Sequence, residues 1–425
     1  MVWHTYIKWL LRRQDPASIS STASSRALIF ELDIYRTPLF PSHSRTHSQI
    51  SLHLAKIIKM PRPRWALSVE ANFWRSAMAA GMYLHKCASP VPPPPSFTLH
   101  IPSTLSKFRG TIDLSFFTPP SYVAPKLSTR PHPHRSATTP PAPSAKPPQA
   151  YPVIVNFHGG GFTIGNSLDD IRWCYAVTQQ LDAVVISVEY RLAPEYPFPT
   201  AVEDGTDVLL WLETHAVLYN LDATRIAISG FSAGGNMCFS VPLRLHYELC
   251  LHPRPTSSKI VAIAAFYPST DFTATRANRR ATNIRPDKEL PKVFTDLFDA
   301  SYLHPPMDIA MDNPFLSPAM TGDKEVLAAF PEEIMLVLCE WDELRAEGER
   351  WRDRLRGLGK KVWSELVEGV AHGWDKGPNP VWEDEKARAV YGRVCTELGR
   401  VFYGDAWVSV KEVGTVSTDV LATAI

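Results

Sequence analysis

At 425 residues the chain has room for one large α/β domain or two smaller ones. Its net charge of +1 gives no electrostatic case for nucleic acid or an acidic membrane surface, and its longest wholly apolar runs, such as Ile260–Tyr267, are far too short to span a bilayer. The six cysteines stand singly, with no CxxC pair or regular spacing, so they read as reduced thiols of a cytoplasmic protein rather than zinc ligands or a disulfide framework.

Residues 1 to about 60 are rich in Ser, Thr, Arg and His and poor in acids. Lys8, Arg12 and Arg13 interrupt the one greasy patch, which argues against a secretory signal. A basic, Ser-rich, acid-poor composition also suits a mitochondrial presequence, but we read this part as a disordered extension of a cytoplasmic chain. From Trp65 to His85 the pattern turns helical. Trp65, Val69, Phe73 and Ala77 recur every four residues, with Trp74, Met78 and Met82 alongside. So wide an apolar face suits either docking on the core or a lid over a site. Pro92–Pro95 ends the segment.

Ser96–Ile101 and Gly110–Phe117 alternate as two antiparallel strands do. Pro119 to Pro148 has almost no large apolar residue and reads as a surface insertion within one sheet, not a domain boundary. Beyond Tyr151, strands and helices alternate. The strands are Val153–Phe157, Ala183–Val188, Thr224–Ile228, Ile260–Phe266, Glu333–Cys339 and Lys361–Leu366. The helices are Leu168–Leu181, Ala201–His215, Ala233–Leu249, Arg345–Leu358 and Val381–Val401. This rhythm implies an α/β fold, a mostly parallel sheet with helices on both faces and sites at the carboxyl ends of its strands. Residues 271–330 break the rhythm with one helix-like piece, Pro291–Leu303, expected over the same end of the sheet. One domain over residues 61–404 is expected, with caps near 65–90 and 271–330, an insertion at 119–150 and a tail at 405–425.

Gly230-Phe231-Ser232-Ala233-Gly234 sits between a strand and a helix with the spacing of a nucleophile elbow. A serine at so sharp a turn crowds its neighbours, so Gly230 and Gly234 carry no Cβ, and the new helix aims its first amides at the hydroxyl. A nucleophilic serine needs a base, an orienting acid and an oxyanion hole. His372 lies in a glycine-flanked loop after a late strand and is the candidate base. Asp342, just past the strand at Glu333–Cys339, is the candidate acid; Glu340 and Glu343 are rivals, and Asp342 could also cap the next helix. His158-Gly159-Gly160-Gly161 follows the first long strand directly, so the amides of Gly160, Gly161 and Ala233 are the candidate oxyanion donors.

These motifs resemble the hormone-sensitive-lipase-like branch of the α/β-hydrolases, which includes arylacetamide-deacetylase-like esterases. His158–Phe162 matches HGGGF, Glu189–Glu195 resembles D-Y-R-L-A-P-E, Gly230–Asn236 matches G-x-S-A-G-G-N, and His372-Gly373 the closing H-G. Phe231 stands where the family usually has Asp or Thr, and Ala346 where its acid motif has a second Asp. The resemblance spans Tyr151 to Val401. It implies an α/β-hydrolase fold with a helical cap, no cofactor or metal, and hydrolysis of small carboxylic esters by Ser232, Asp342 and His372. Acyl transfer, amide deacylation and a silent receptor remain open as alternatives, although receptors on this fold tend to lose the histidine. A homo-oligomer is compatible with the sequence; Glu203 and Asp204 are expected to brace loops beneath the site.

Overall fold

The computed structural model describes residues 62–124, 150–305, 309–404 and Trp407. The expectations for residues 1–60, for most of the Pro-rich insertion and for the tail therefore lie outside the described residues. In chain order the strands are β1 (Phe97–Pro102), β2 (Thr111–Phe117), β3 (Tyr151–Phe157), β4 (Val184–Glu189), β5 (Leu221–Phe231), β6 (Ile260–Phe266), β7 (Glu333–Trp341) and β8 (Lys361–Ala371). They form one sheet in the order β1-β2-β4-β3-β5-β6-β7-β8. The pairs β1–β2 and β2–β4 are antiparallel, and every later pair is parallel. The main helices are α1 (Arg64–Cys87), α2 (Ile171–Gln180), α3 (Thr200–His215), α4 (Ala233–Leu251), α5 (Arg276–Ala281), α6 (Lys292–Tyr302), α7 (Asp323–Ala329), α8 (Arg345–Gly357) and α9 (Glu385–Tyr403).

Period-two alternation splits the core between the two faces. Val153, Val155 and Phe157 of β3 and Ile334, Leu336 and Leu338 of β7 pack under α3, α4 and α8. Ile154, Met335, Val337 and Cys339 face α2 and α9 instead. On that second face a buried polar row crosses three strands, because register sets Asn156 beside both Ser187 and Ser229. Asn156 Nδ2 donates to Ser187 Oγ at 3.2 Å and to Asp170 Oδ2 at 2.9 Å, and Ser229 Oγ donates to Asn156 Oδ1 at 2.8 Å.

The α/β-hydrolase architecture expected from the motifs is present, with corrections at particular elements. β8 runs five residues past Leu366, because a register shift after Cys339 lets Ala371 pair with Trp341. The last helix begins at Glu385 rather than Val381, capped by Asp384, whose carboxylate accepts the Ala387 N–H. Residues 271–330 hold α5 and α7 besides the expected helix. The largest correction concerns α1. Trp65, Val69 and Phe73, the every-fourth stripe, point outward with 72, 65 and 52% of their surface exposed. The helix buries Leu67, Ala71, Trp74 and Met82 instead. Trp74 meets Phe294 of α6 edge-on at 4.6 Å, and Leu67, Leu297 and Ile164 complete that cluster.

Arginines fix this helix at both ends. Arg75 donates to the carbonyls of Thr163 and Ala193 and pairs with Glu195. Arg172 of α2 donates to the carbonyls of His85, Ala88 and Pro90 at the end of α1, satisfying acceptors that a helix terminus leaves open. Beneath the site, fully buried Asp204 holds Arg191 through its backbone N–H (3.0 Å) and guanidinium (2.6 Å), and Asp207 accepts the amides of Thr104 and Leu105. Removing one partner of a buried pair strands the other charge. Asp204→Ala should therefore cost about 3–5 kcal/mol, read as a lower denaturation midpoint in urea. A loss below about 1 kcal/mol would show that Arg191 finds solvent instead.

Candidate functional site

The site forms where β3, β5, β7 and β8 end. β5 delivers the chain to Ser232, which has φ 55° and ψ −110°, a left-handed conformation that L-residues rarely hold. Such strain costs on the order of 1–3 kcal/mol and persists only where packing over-determines it. Here a Cβ at position 234 would run into the carbonyl of Phe157, and one at 230 into the carbonyl of Gly234. Ser232 N–H donates to Phe266 O at 2.9 Å, which ties the turn to β6.

His372 follows β8 immediately. Its Nε2 lies 2.8 Å from Ser232 Oγ, and its Nδ1 lies 2.7 Å from Asp342 Oδ2. Asp342 sits just past β7, 2% exposed, and its other oxygen accepts the Leu344 N–H at 2.9 Å. One carboxylate thus closes the turn into α8 and also meets the imidazole. The rival acids are engaged elsewhere: Glu340 accepts the Gly369 N–H, and Glu343 pairs with Arg276 and Arg280.

Burial alone would lower the pKa of His372. The charge of Asp342, its hydrogen bond, and the more distant Glu343 and Asp375 outweigh that penalty, so the pKa stands above 6.5. The ring also rests edge-on against Tyr267, 4.8 Å away. The Tyr267 hydroxyl donates to Asp375 at 2.6 Å, and Asp375 and Asp170 both pair with Lys376. The Lys376 ammonium in turn lies 3.7 Å from the centre of the Phe231 ring.

The glycine loop turns beside the serine. Gly160 O accepts the N–H groups of Thr163 and Ile164, and His158 stacks on Tyr190, whose hydroxyl donates to His158 O. Gly161 has φ 59°, and a Cβ there would meet the ring of Phe298 in α6. Phe162 stacks flat on Tyr302 of the same helix, 3.8 Å between centres. Ala233 opens α4, so its N–H belongs to the first turn, which finds no partner inside the helix. The geometry therefore brings together Ser232, His372 and Asp342, with Gly159, Gly160 and Gly161 in the wall of the same cavity.

That cavity, about 160 Å³, runs from Ser232 between α1 and α6. Trp74, Met78, Ile164, Phe294 and Phe298 make its sides apolar. A smaller hollow of about 40 Å³ lies across Leu290 and Phe298 and carries Arg276, Asp299 and Glu343. Sequence reasoning missed the charged end of the larger cavity, Asp169, Asp170 and Lys376. The adjacent acids directly after the glycine loop and a lysine four residues past His372 were the available signals. No helix among the described residues is long and apolar enough to cross a membrane.

Comparison with known proteins agrees with this arrangement. Residues 154–376 match the model of a family described as alpha/beta hydrolase fold. The chain is 33% identical over 227 residues to the carboxylic ester hydrolase LipN of Mycobacterium tuberculosis, covering 53% of this chain and 57% of that one. It is 31% identical over 222 residues to an arylesterase of Saccharolobus solfataricus, covering 52% and 67%. Human hormone-sensitive lipase is 42% identical over a shorter stretch of 97 residues, 23% of this chain and 9% of the lipase. Among solved structures, a hyperthermophilic esterase from Pyrobaculum calidifontis superposes with a TM-score of 0.58 at 23% identity, over 82% of this chain and 96% of that one. By its matched region, its motifs and its sheet, the chain belongs to the alpha/beta hydrolase family.

Proposed function

We propose that the protein hydrolyses small to medium carboxylic esters, with Ser232 as nucleophile, His372 as general base and acid, and Asp342 orienting the imidazole. The observation that carries this reading is the unbroken line of hydrogen bonds from Ser232 Oγ through His372 to Asp342. Ser232 Oγ attacks the carbonyl carbon while its proton passes to His372 Nε2. The amides of Gly160, Gly161 and Ala233 take the charge that develops on the carbonyl oxygen. The tetrahedral adduct collapses, the ester C–O bond breaks, and His372 returns the proton to the leaving alcohol. Water then attacks the acyl-enzyme, gives its proton to His372, and releases the carboxylic acid as Ser232 recovers its hydrogen. The apolar sides of the larger cavity suit a short or medium chain. The relatives named as ester hydrolases and an arylesterase support the same class of chemistry.

The test is a p-nitrophenyl ester series from acetate upward. Wild type should turn it over, and Ser232→Ala should fall to background. Equal inertness of both, with Ser232 unlabelled by a fluorophosphonate in folded protein, would overturn the reading. Gly161→Ala should slow turnover by about 10²–10³, the typical cost of one misplaced oxyanion donor, because the added methyl and Phe298 cannot share the space.

The pH dependence follows from His372, which acts as base only when neutral. Because its pKa is raised, kcat/KM should climb with pH through a midpoint above 6.5. Asp342→Asn removes the raising charge and leaves burial, so the midpoint should move down while the limiting rate falls roughly 10³–10⁴-fold. A midpoint that stays put would mean that Asp342 does not set the charge on His372.

A further inference from the structure

The larger cavity has an apolar barrel and a charged end, and that end is unbalanced. Asp170 and Asp375 share the Lys376 ammonium at 2.9 and 3.1 Å. Asp169, beside them in the cavity wall, is 3% exposed. Its Oδ2 accepts the Asn166 N–H at 3.0 Å, whereas its Oδ1 is buried with no hydrogen-bond partner among the described residues. Three carboxylates therefore meet one ammonium at the wall. His85, the nearest imidazole to Lys376, adds no positive charge, because burial and Lys376 hold its pKa near 4. Lys86 and His158 act on Asp169 through space without bonding to it.

An unpaired buried carboxylate oxygen is costly, on the order of 1–3 kcal/mol, unless something donates to it. The protein supplies no donor, and the oxygen lines the same cavity as Ser232. We propose that Asp169 is a specificity residue whose free oxygen receives a hydrogen-bond donor at the far end of the substrate, so that the preferred substrates are esters whose chain ends in a protonated amine. This rests on the esterase reading for its chemistry but on the cavity alone for its binding.

An ammonium suits the site better than a hydroxyl. It brings the charge that the wall lacks and donates to a carboxylate with a charge-assisted bond, about twice as strong as a neutral one. The apolar barrel then selects a methylene spacer between the ester and the amine. A purely apolar chain of equal length would cover Asp169 without satisfying it. Burial raises the Asp169 pKa to about 6, so the carboxylate is mostly ionised at neutral pH and more fully so with a cation beside it.

The experiment compares p-nitrophenyl esters of ω-amino acids of six to eight carbons with unsubstituted esters of the same lengths. Wild type should favour one amino ester by tenfold or more in kcat/KM. Asp169→Asn should erase that ratio, and Asp169→Leu should reverse it. Because the ratio is taken within each variant, a general loss of activity does not mimic the effect. Hexylammonium binding is measured by calorimetry in parallel, on wild type and on Ser232→Ala, with hexanol as the apolar control. Should either Asp169 variant fail to fold, the wild-type ratio and the hexylammonium-to-hexanol difference still decide. A chain inert toward p-nitrophenyl acetate that binds hexylammonium at least tenfold tighter than hexanol would sink the esterase reading and leave the donor subsite standing. Active enzyme that prefers unsubstituted esters and does not bind hexylammonium would overturn the proposal and assign the Asp169 oxygen to a resident water.

Discussion

The site depends on one close approach, that of the start of α4 to the end of β3. Phe157 pairs in register with Gly230, so the two strands finish side by side. A Cβ at Gly234 would strike the Phe157 carbonyl. The chain can leave β5 only by turning at once, which puts Ser232 at φ 55°. The same contact sets the glycine loop, which begins at His158, against the first turn of α4. Nucleophile and backbone donors thus share a location by main-chain packing alone, before any side chain has been oriented. The strain of the turn, a few kcal/mol at most, is held by contacts on every side rather than relieved.

Around this pivot, stiffness is supplied in layers. α6 braces the glycine loop through Phe162 on Tyr302, and α1 braces it through Arg75 on Thr163. On the other side, His372 leans on Tyr267, which is bonded to Asp375, which is paired with Lys376, which reaches Asp170 and, through it, Asn156 in the middle of the sheet. The imidazole is thereby connected to the central strand by groups that are each buried and each engaged. A ring so held loses little entropy when it moves a proton, and preorganisation of this kind is where electrostatic catalysis gains most. The arginines at the ends of α1 show that the roof is clamped and not loosely laid.

What was legible in the sequence was local. The elbow and the glycine loop are short runs in which steric need dictates residue type, and an α/β hydrolase could be named from their order. Asp342 could be separated from Glu340 and Glu343 because strand direction over three residues decides where each side chain starts. Pairings across the chain were not legible. On α1 the regular stripe of Trp65, Val69 and Phe73 outshone the mixed face of Leu67, Ala71, Trp74 and Met82. Which face is buried depends on Phe294 and Leu297, delivered by a helix more than two hundred residues away. Periodicity measures how apolar a face is, and it carries no information about what arrives to cover it. The Lys376–Asp170 pair was hidden for the same reason.

The division of the site follows from these layers. Leu290 and Phe298 stand between an apolar cavity and a small polar hollow, and both sit on the segment that interrupts the alternating fold. A closed apolar lining lowers the local dielectric, which strengthens the oxyanion donors and also raises the cost of any charge left without a partner. Around the hollow that cost is met: Glu343 has Arg276 and Arg280, and Glu347, pushed up to about 7 by burial, has Arg279. At the far end of the cavity Lys376 is shared between two aspartates, and Asp169 keeps an oxygen that the protein does not satisfy. The paired ions belong to the scaffold, since every charge there is answered from within. The unanswered oxygen faces the space where a substrate chain would lie, and that places it with the ligand rather than with the fold.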